Sequence, residues 1–134
     1  MGLSDLFKGK GKSEYQVSAE LLNHPLKDKY FYRLMPYTRL DAWHIAAYDS
    51  AYPRMITFDD WPQNVFLAAT GTKTLHQFTL EMAKAYNGRV PQGLESTIIE
   101  ELEKMVREKM IAISDEIVML PQKLLDPMEK TLKL

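Results

Sequence analysis

The pattern of apolar and polar positions changes character near residue 29. Residues 1–28 are mostly polar and interrupted by Gly9, Gly11 and Pro25, so they read as a partly disordered lead-in, outside the core, with one short helix around Ser18 to Asn23. From Tyr30 to Met35 the run Tyr-Phe-Tyr-Arg-Leu-Met is dense in aromatic residues and closed by Pro36, which suits a strand. Ala42 to Tyr48 fits two templates. As a strand it sets Trp43, Ile45 and Ala47 on one face; as a helix it groups Leu40, Trp43, Ala47 and Tyr48, with Thr38 and Asp41 at capping-box spacing. The turn-rich stretch Asp49 to Pro53 leads into the β-rich Arg54 to Phe58, and the three runs together predict a small antiparallel meander.

The second half of the chain switches to a helical period. Asp59 or Asp60 is placed to cap a helix that tolerates Pro62 in its first turn and runs to about Thr70, where Gly71 stops it. Thr74 and Gln77 form a capping box for a second helix, with Leu75, Phe78, Met82, Ala85 and Tyr86 on one face until Asn87-Gly88. A third and longest helix, Leu94 to Lys109, carries the stripe Leu94, Ile98, Leu102, Met105 and Val106. Met110 to Ile113 and Ile117 to Leu120, on either side of Ser114-Asp115-Glu116, predict a hairpin that Pro121 ends. In the last stretch Leu124, Leu125 and Met128 keep helical spacing around Pro127, as in a tail that docks weakly or frays. This order predicts an α+β fold: a winged helix-turn-helix with an N-terminal antiparallel β-meander, three helices and a C-terminal β-hairpin wing. One domain over residues 29–120 follows, flanked by the lead-in and by a tail from 121 to 134.

Composition supports one core and excludes several functions. The 134 residues are 46% hydrophobic and 26% charged, which is ordinary globular usage, and without any Cys the fold has no disulfide to rely on. Seventeen basic residues against eighteen acidic ones give a net charge of −1, so neutralising phosphates is not the chain's main task. The third helix sharpens this point: Glu95, Glu100, Glu101, Glu103 and Glu108 outnumber Lys104, Arg107 and Lys109, and the wing at Ser114-Asp115-Glu116 has no basic flank. A groove walled by phosphates would repel that helix, which disfavours nucleic acid as a partner. No run approaches the length of a membrane span. The short apolar start, Met1 to Phe7, precedes Lys8, Lys10 and Lys12 in the reverse of the secretory order, so a cytoplasmic location is expected.

Candidate chemistry is sparse. His24, His44 and His76 share no i, i+4 spacing, Asp59-Asp60 stands where a helix cap belongs, and Glu100-Glu101 reads as a solvated helix face. No Ser occupies a nucleophile elbow, and Gly71-Thr72-Lys73-Thr74 lacks the spacing of a phosphate loop, so neither an enzyme nor a cofactor is expected. Nine aromatic residues fall between Tyr30 and Trp61: Tyr30, Phe31, Tyr32, Tyr37, Trp43, Tyr48, Tyr52, Phe58 and Trp61. A small sheet has few faces on which to bury them, which points some of them toward a partner.

Several stretches carry a family resemblance. Ala42 to Tyr48, Met55 to Asp59, the Gly-containing turn Ala69 to Thr74, Ala83 to Tyr86, Pro91, and the series Ile98, Leu102, Ile111 resemble PqqD-like proteins, the peptide recognition elements of ribosomally made, modified peptides. The resemblance covers about Asp41 to Ile113. It departs at Lys109, where the family often has a turn Gly, and in the extra segments at both ends. In that family a leader peptide adds along the third strand of the meander and against the third helix. Carried onto this chain, the resemblance implies Arg54, Met55, Thr57 and Phe58 on the strand, with Glu103, Val106 and Arg107 on the helix, as peptide-binding residues. The expected function is a non-catalytic domain that binds a peptide or protein by strand addition, in the service of a modifying enzyme. A homodimer closed through the same edge, as in a structural protein, and a nucleic-acid-binding regulator using the third helix and wing are the alternatives.

Overall fold

Residues 15–128, the part of the chain that the computed structural model describes, form two three-stranded antiparallel sheets and five helices. In chain order these are α1 (Ala19–Leu22), β1 (Tyr30–Arg33), β2 (Tyr37–Arg39), β3 (Ile45–Asp49), β4 (Arg54–Thr57), α2 (Asp60–Ala68), β5 (Thr70–Thr74), α3 (Leu75–Lys84), α4 (Leu94–Arg107), β6 (Ile111–Ser114) and α5 (Gln122–Leu125). One sheet has the order β5-β1-β6 and the other is the meander β2-β3-β4. Helix α4 packs against α2, α3 and β6, and a single apolar cluster joins all these elements.

Local signals explain most of the elements. Ser18 caps α1 through the Leu21 N–H, and the reciprocal Thr74–Gln77 capping box starts α3. The stripe on α4 faces inward as its spacing predicts: Leu94, Ile98, Leu102 and Met105 are buried, and Val106 packs at the margin. On α3, Leu75, Phe78, Thr79 and Ala83 are buried, whereas Ala85 lies beyond the helix and is exposed. Lys109 adopts φ 61° at the end of α4, in the left-handed region that a helix C-terminus more often gives to glycine.

Five points of the sequence reading are corrected or decided. First, Leu21 is wholly buried, so the stretch before residue 29 contributes to the core; residues 1–14, with the three Lys of the lead-in, lie outside the described residues. Second, of the two templates open for Ala42 to Tyr48 the strand is the one formed, from Ile45 onward, with residues 40–44 as the turn that follows β2. The Asp41 carboxylate accepts the Trp43 and His44 N–H groups and so closes the β2–β3 turn. Third, the meander does not begin with Tyr30–Arg33. That strand leaves to pair with β5 and β6, and the short β2 takes its place. Fourth, Gly71 does not stop a helix. Helix α2 ends at Ala68, and Gly71 sits in β5 at φ +89°, where the register against β1 shifts and makes a bulge.

The fifth correction concerns the wing. Ile117 to Leu120 form no strand, and β6 pairs with β1 instead. The segment turns back to β5, where the Val118 N–H donates to the Gly71 carbonyl at 2.9 Å. Backbone passes so close there that a Cβ on residue 71 would meet the Val118 carbonyl oxygen at 2.3 Å. Only glycine satisfies both this approach and the positive φ.

Arg33 ties the two ends of the domain together. It is 2% exposed and lies in phase with the buried Phe31 and Met35. Its Nη1 donates to the carbonyls of Phe66 and Leu67 at 3.1 and 3.0 Å, at the C-terminal end of α2. Nε and Nη2 donate to the carbonyls of Leu124 and Leu125 at 2.8 and 3.0 Å, at the end of α5. The guanidinium also stands 5.0 Å from the Tyr37 ring centroid and 5.7 Å from that of Phe66. Burial lowers its pKa from the ordinary arginine value, yet an arginine stays charged, and the carbonyl ends of two helices compensate it.

Two stability changes follow. Arg33→Met leaves several carbonyls without donors and lowers unfolding free energy by roughly 3–5 kcal/mol in denaturant titration, with Arg33→Lys between that variant and the parent. A loss below about 1 kcal/mol contradicts the role given to the guanidinium. Gly71→Ala costs about 2 kcal/mol or more by the same titration, and an unchanged midpoint contradicts the close approach of Val118.

Candidate functional site at an open sheet edge

The meander has two edges, and they are treated differently. In an antiparallel ladder, alternate residues of a strand turn both N–H and C=O to the same neighbour. The Tyr48 N–H donates to the Pro36 carbonyl at 2.8 Å and the Leu40 N–H to the His44 carbonyl at 2.9 Å, so the even-numbered residues of β3 face β2. Ala47 and Asp49 therefore face β4, where they oppose Ile56 and Arg54. It follows that Met55 and Thr57 turn their backbone groups away from β3, to the outside of the sheet.

On the β2 side the outward carbonyl of Tyr37 is already used, while the outward groups of Arg39 take no backbone partner among the described residues. Tyr37 turns away from β3, and its carbonyl accepts the Met128 N–H at 2.6 Å, just beyond the α5 segment that Arg33 holds. On the β4 side, among the described residues, no backbone group bonds to the outward N–H and C=O of Met55 or Thr57. The strand is exposed except for Ile56, which packs on the core, and Met55 is 49% exposed.

Side chains hold this edge in shape at both ends. Asp49 is buried at the start of the β3–β4 turn, where its carboxylate accepts from the Ala51 N–H and from Arg54 Nε and Nη2 at 3.1 Å each. At the other end the Gln63 amide acts as a substitute strand residue: Oε1 accepts the Ile45 N–H at 3.0 Å and Nε2 donates to the Trp43 carbonyl at 2.7 Å. Gln63 thereby ends the ladder and fastens α2 to the β2–β3 turn. Asp59 sits at the α2 N-cap, but its side chain makes no capping hydrogen bond, contrary to the role expected from its position. The turns expose Trp43 at 79% and Tyr52 at 72%, whereas Phe31 and Tyr37 are buried, so the aromatic cluster divides between core and surface.

The seven residues implied by resemblance fall into two groups. Arg54, Met55 and Thr57 lie on β4, and Phe58 follows, stacked on Phe66 with centroids 5.1 Å apart. Arg54 turns its backbone to β3 and its side chain to Asp49, whereas the backbone of Met55 and Thr57 faces outward without a backbone partner among the described residues. Glu103, Val106 and Arg107 lie on α4. Glu103 pairs with His24 Nε2 at 3.3 Å, Val106 packs on the core, and Arg107 is exposed. The main neighbour of β4 is β3 and those of α4 are α2, α3 and β6, so the packing does not itself join the two groups.

The segment before β1 covers part of α4. Glu95, in the first turn of α4, accepts from the Ser18 N–H at 2.9 Å and Ser18 Oγ at 2.5 Å, and also from the Tyr15 hydroxyl. Partial burial, then the hydrogen bond and charge of Glu95, push the Tyr15 phenol up to about 12. Partial burial alone would raise the Glu95 pKa; the bonds from Ser18 and Tyr15 outweigh it and hold the carboxyl below its ordinary value. Glu100 is exposed as expected of a solvated face, but Glu101 is half-buried, with Oε1 shielded and unbonded among the described residues.

Among the described residues no three His, Asp or Glu side chains gather to hold a metal ion, and no helix is long and apolar enough to cross a membrane. His24 and His44 are engaged singly, with Glu103 and Asp41. Comparisons with family models, with curated proteins and with solved structures find no match.

The two shifted groups set a pH window for the N-terminal contact. Glu95, with a lowered pKa, stabilises above the ordinary carboxylate range and loses its effect as pH falls through its folded value. Tyr15, with a raised pKa, stabilises fully below about 10 and loses its effect as pH rises toward about 12. The stability difference between the parent and Tyr15→Phe is therefore constant near neutrality and shrinks from about pH 10 upward in denaturant titrations. A difference independent of pH over that range contradicts the Tyr15–Glu95 contact.

Proposed function

We propose that the protein is a non-catalytic recognition domain that captures an extended peptide by strand addition along β4. The observation that carries this reading is the pair of outward peptide groups at Met55 and Thr57, unbonded among the described residues, on an edge shaped by Asp49 and Gln63. A guest strand would bond to these two residues, with side chains alternately over Met55 and Thr57 on the outer face and over Ile56 on the core side. The tail contact at Tyr37 supports the idea from within the molecule, because Met128 already donates to an outward carbonyl on the opposite edge.

The PqqD-like resemblance belongs to the same proposal. The order α2-β5-α3-α4-β6 fits a helix-turn-helix body, with β1 in the place beside β5 and β6 that a second wing strand would fill. In this reading the guest is a leader-like peptide delivered to a modifying enzyme, and Arg54 and Phe58 flank its path. The helix residues Glu103, Val106 and Arg107 would join the site only where the guest extends past β4.

Linear peptides selected by display on the immobilised chain test the proposal. Selected binders are expected to protect the Met55 and Thr57 amides from exchange. They should bind Met55→Pro at least about tenfold more weakly, since that change removes an outward donor while leaving the β3 pairing intact. Binders that leave β4 unprotected and bind Met55→Pro equally well contradict it.

A further inference from the structure

We infer that a second copy of this chain is the resting occupant of the β4 edge, paired antiparallel about a two-fold axis through Ile56, and that guest peptides compete with it. The competition rests on the reading of β4 as a recognition edge; the pairing itself rests on the strand's own pattern.

That pattern is self-complementary. Met55 and Thr57 are the outward-facing residues of β4, and a two-fold axis at Ile56 sets each Met55 opposite Thr57 of the partner subunit. These are hydrogen-bonded positions of an antiparallel ladder, so every outward N–H and C=O of β4 finds a partner. Register by one residue in either direction leaves outward groups unpaired. The charges agree with the same arrangement. Arg54 precedes the centre by two residues, and the exposed Asp59 and Asp60 follow it. Antiparallel pairing brings Arg54 opposite Phe58 of the partner subunit and toward the partner's Asp59 and the partner's Asp60, at both ends. Parallel pairing would set like charges together. Arg54 spends Nε and Nη2 on Asp49, which leaves Nη1 for this contact. Between the charged ends the edge is uncharged: Met55, Ile56, Thr57, with Tyr48 opposite Met55 on the outer face.

Strand length sets the strength of the pairing. β4 has four residues, too few to bury the area of a permanent dimer, so the association is weak and exchangeable. Such a dimer would shield an adhesive edge without blocking a better guest.

Because the chain has no Cys, single cysteine substitutions read the register directly. At the two-fold axis opposed Cα atoms of an antiparallel pair come to about 4.5 Å, within disulfide reach. Under mild oxidation Ile56→Cys is expected to cross-link into a dimer, while Thr38→Cys on the β2 side is not. Ile56 packs on the core, so a mixture of Met55→Cys with Thr57→Cys supplies a second test of the same register: the mixture should cross-link more than either variant alone. Light scattering on the unmodified chain should show mass rising between about 10 µM and about 1 mM, and Met55→Lys should weaken association at least about tenfold.

A constant monomer mass across that range, or cross-linking no better at these positions than at Thr38→Cys, overturns the inference even if peptides bind β4. A dimer with this register that no selected peptide dissociates upholds the pairing and overturns the competition, along with the peptide reading.

Discussion

The charge of Arg33 has to be accommodated inside the fold, and the way this is done decides which surfaces remain free. No carboxylate meets it among the described residues; its donors go to the carbonyls that end α2 and α5. Those of Leu67, Leu124 and Leu125 are acceptors of the kind a helix leaves unpaired at its C-terminus, and that of Phe66 also takes the Ala69 N–H; all lie at a negative dipole end. One side chain thus keeps its charge, solvated by carbonyl dipoles, and finishes two helices. It also fixes the segment after Pro121, so that Met128 reaches the outward carbonyl of Tyr37. The β2 edge is capped at Tyr37 as a consequence of a buried charge in a different sheet.

Closure of one edge gives the other its meaning. A three-stranded meander with two open edges would be a polymerisation hazard, and one with two closed edges would have no main-chain site to offer. Here the tail caps β2 at Tyr37, Gln63 terminates the ladder beyond β4, and Asp49 holds the turn before it. What is left is a short window centred on Met55 and Thr57. For the proposed guest strand, its shortness would limit both affinity and aggregation, and its lack of charge at the centre would leave selectivity to the flanks.

Much of this was legible in the sequence where the interactions are local. The Thr74–Gln77 box and the α4 stripe both involve neighbours a few residues apart, and spacing reports them directly. Misreadings arose where a distant partner overrides a local pattern. Ile117 to Leu120 has the composition of a strand, but β1 already occupies the place beside β6, and the segment is drawn to Gly71. Gly71 looks like a helix stop because a bulge and a stop both use a positive φ. Arg33 did leave a trace: it stands in phase with Phe31 and Met35, a cation on the buried face of a strand. The site was half visible, since composition and turns place β4. Which of its residues face outward depends on the bonds of β3 to β2, which no spacing within β4 encodes.

Residue-resolved amide exchange on the dilute, peptide-free chain measures the openness of this edge most directly. The account predicts alternation along β4, with the Arg54 and Ile56 amides protected by β3 and the Met55 and Thr57 amides exchanging freely. Protection of all four amides under those conditions would mean that the chain covers its own edge, and the account would fail.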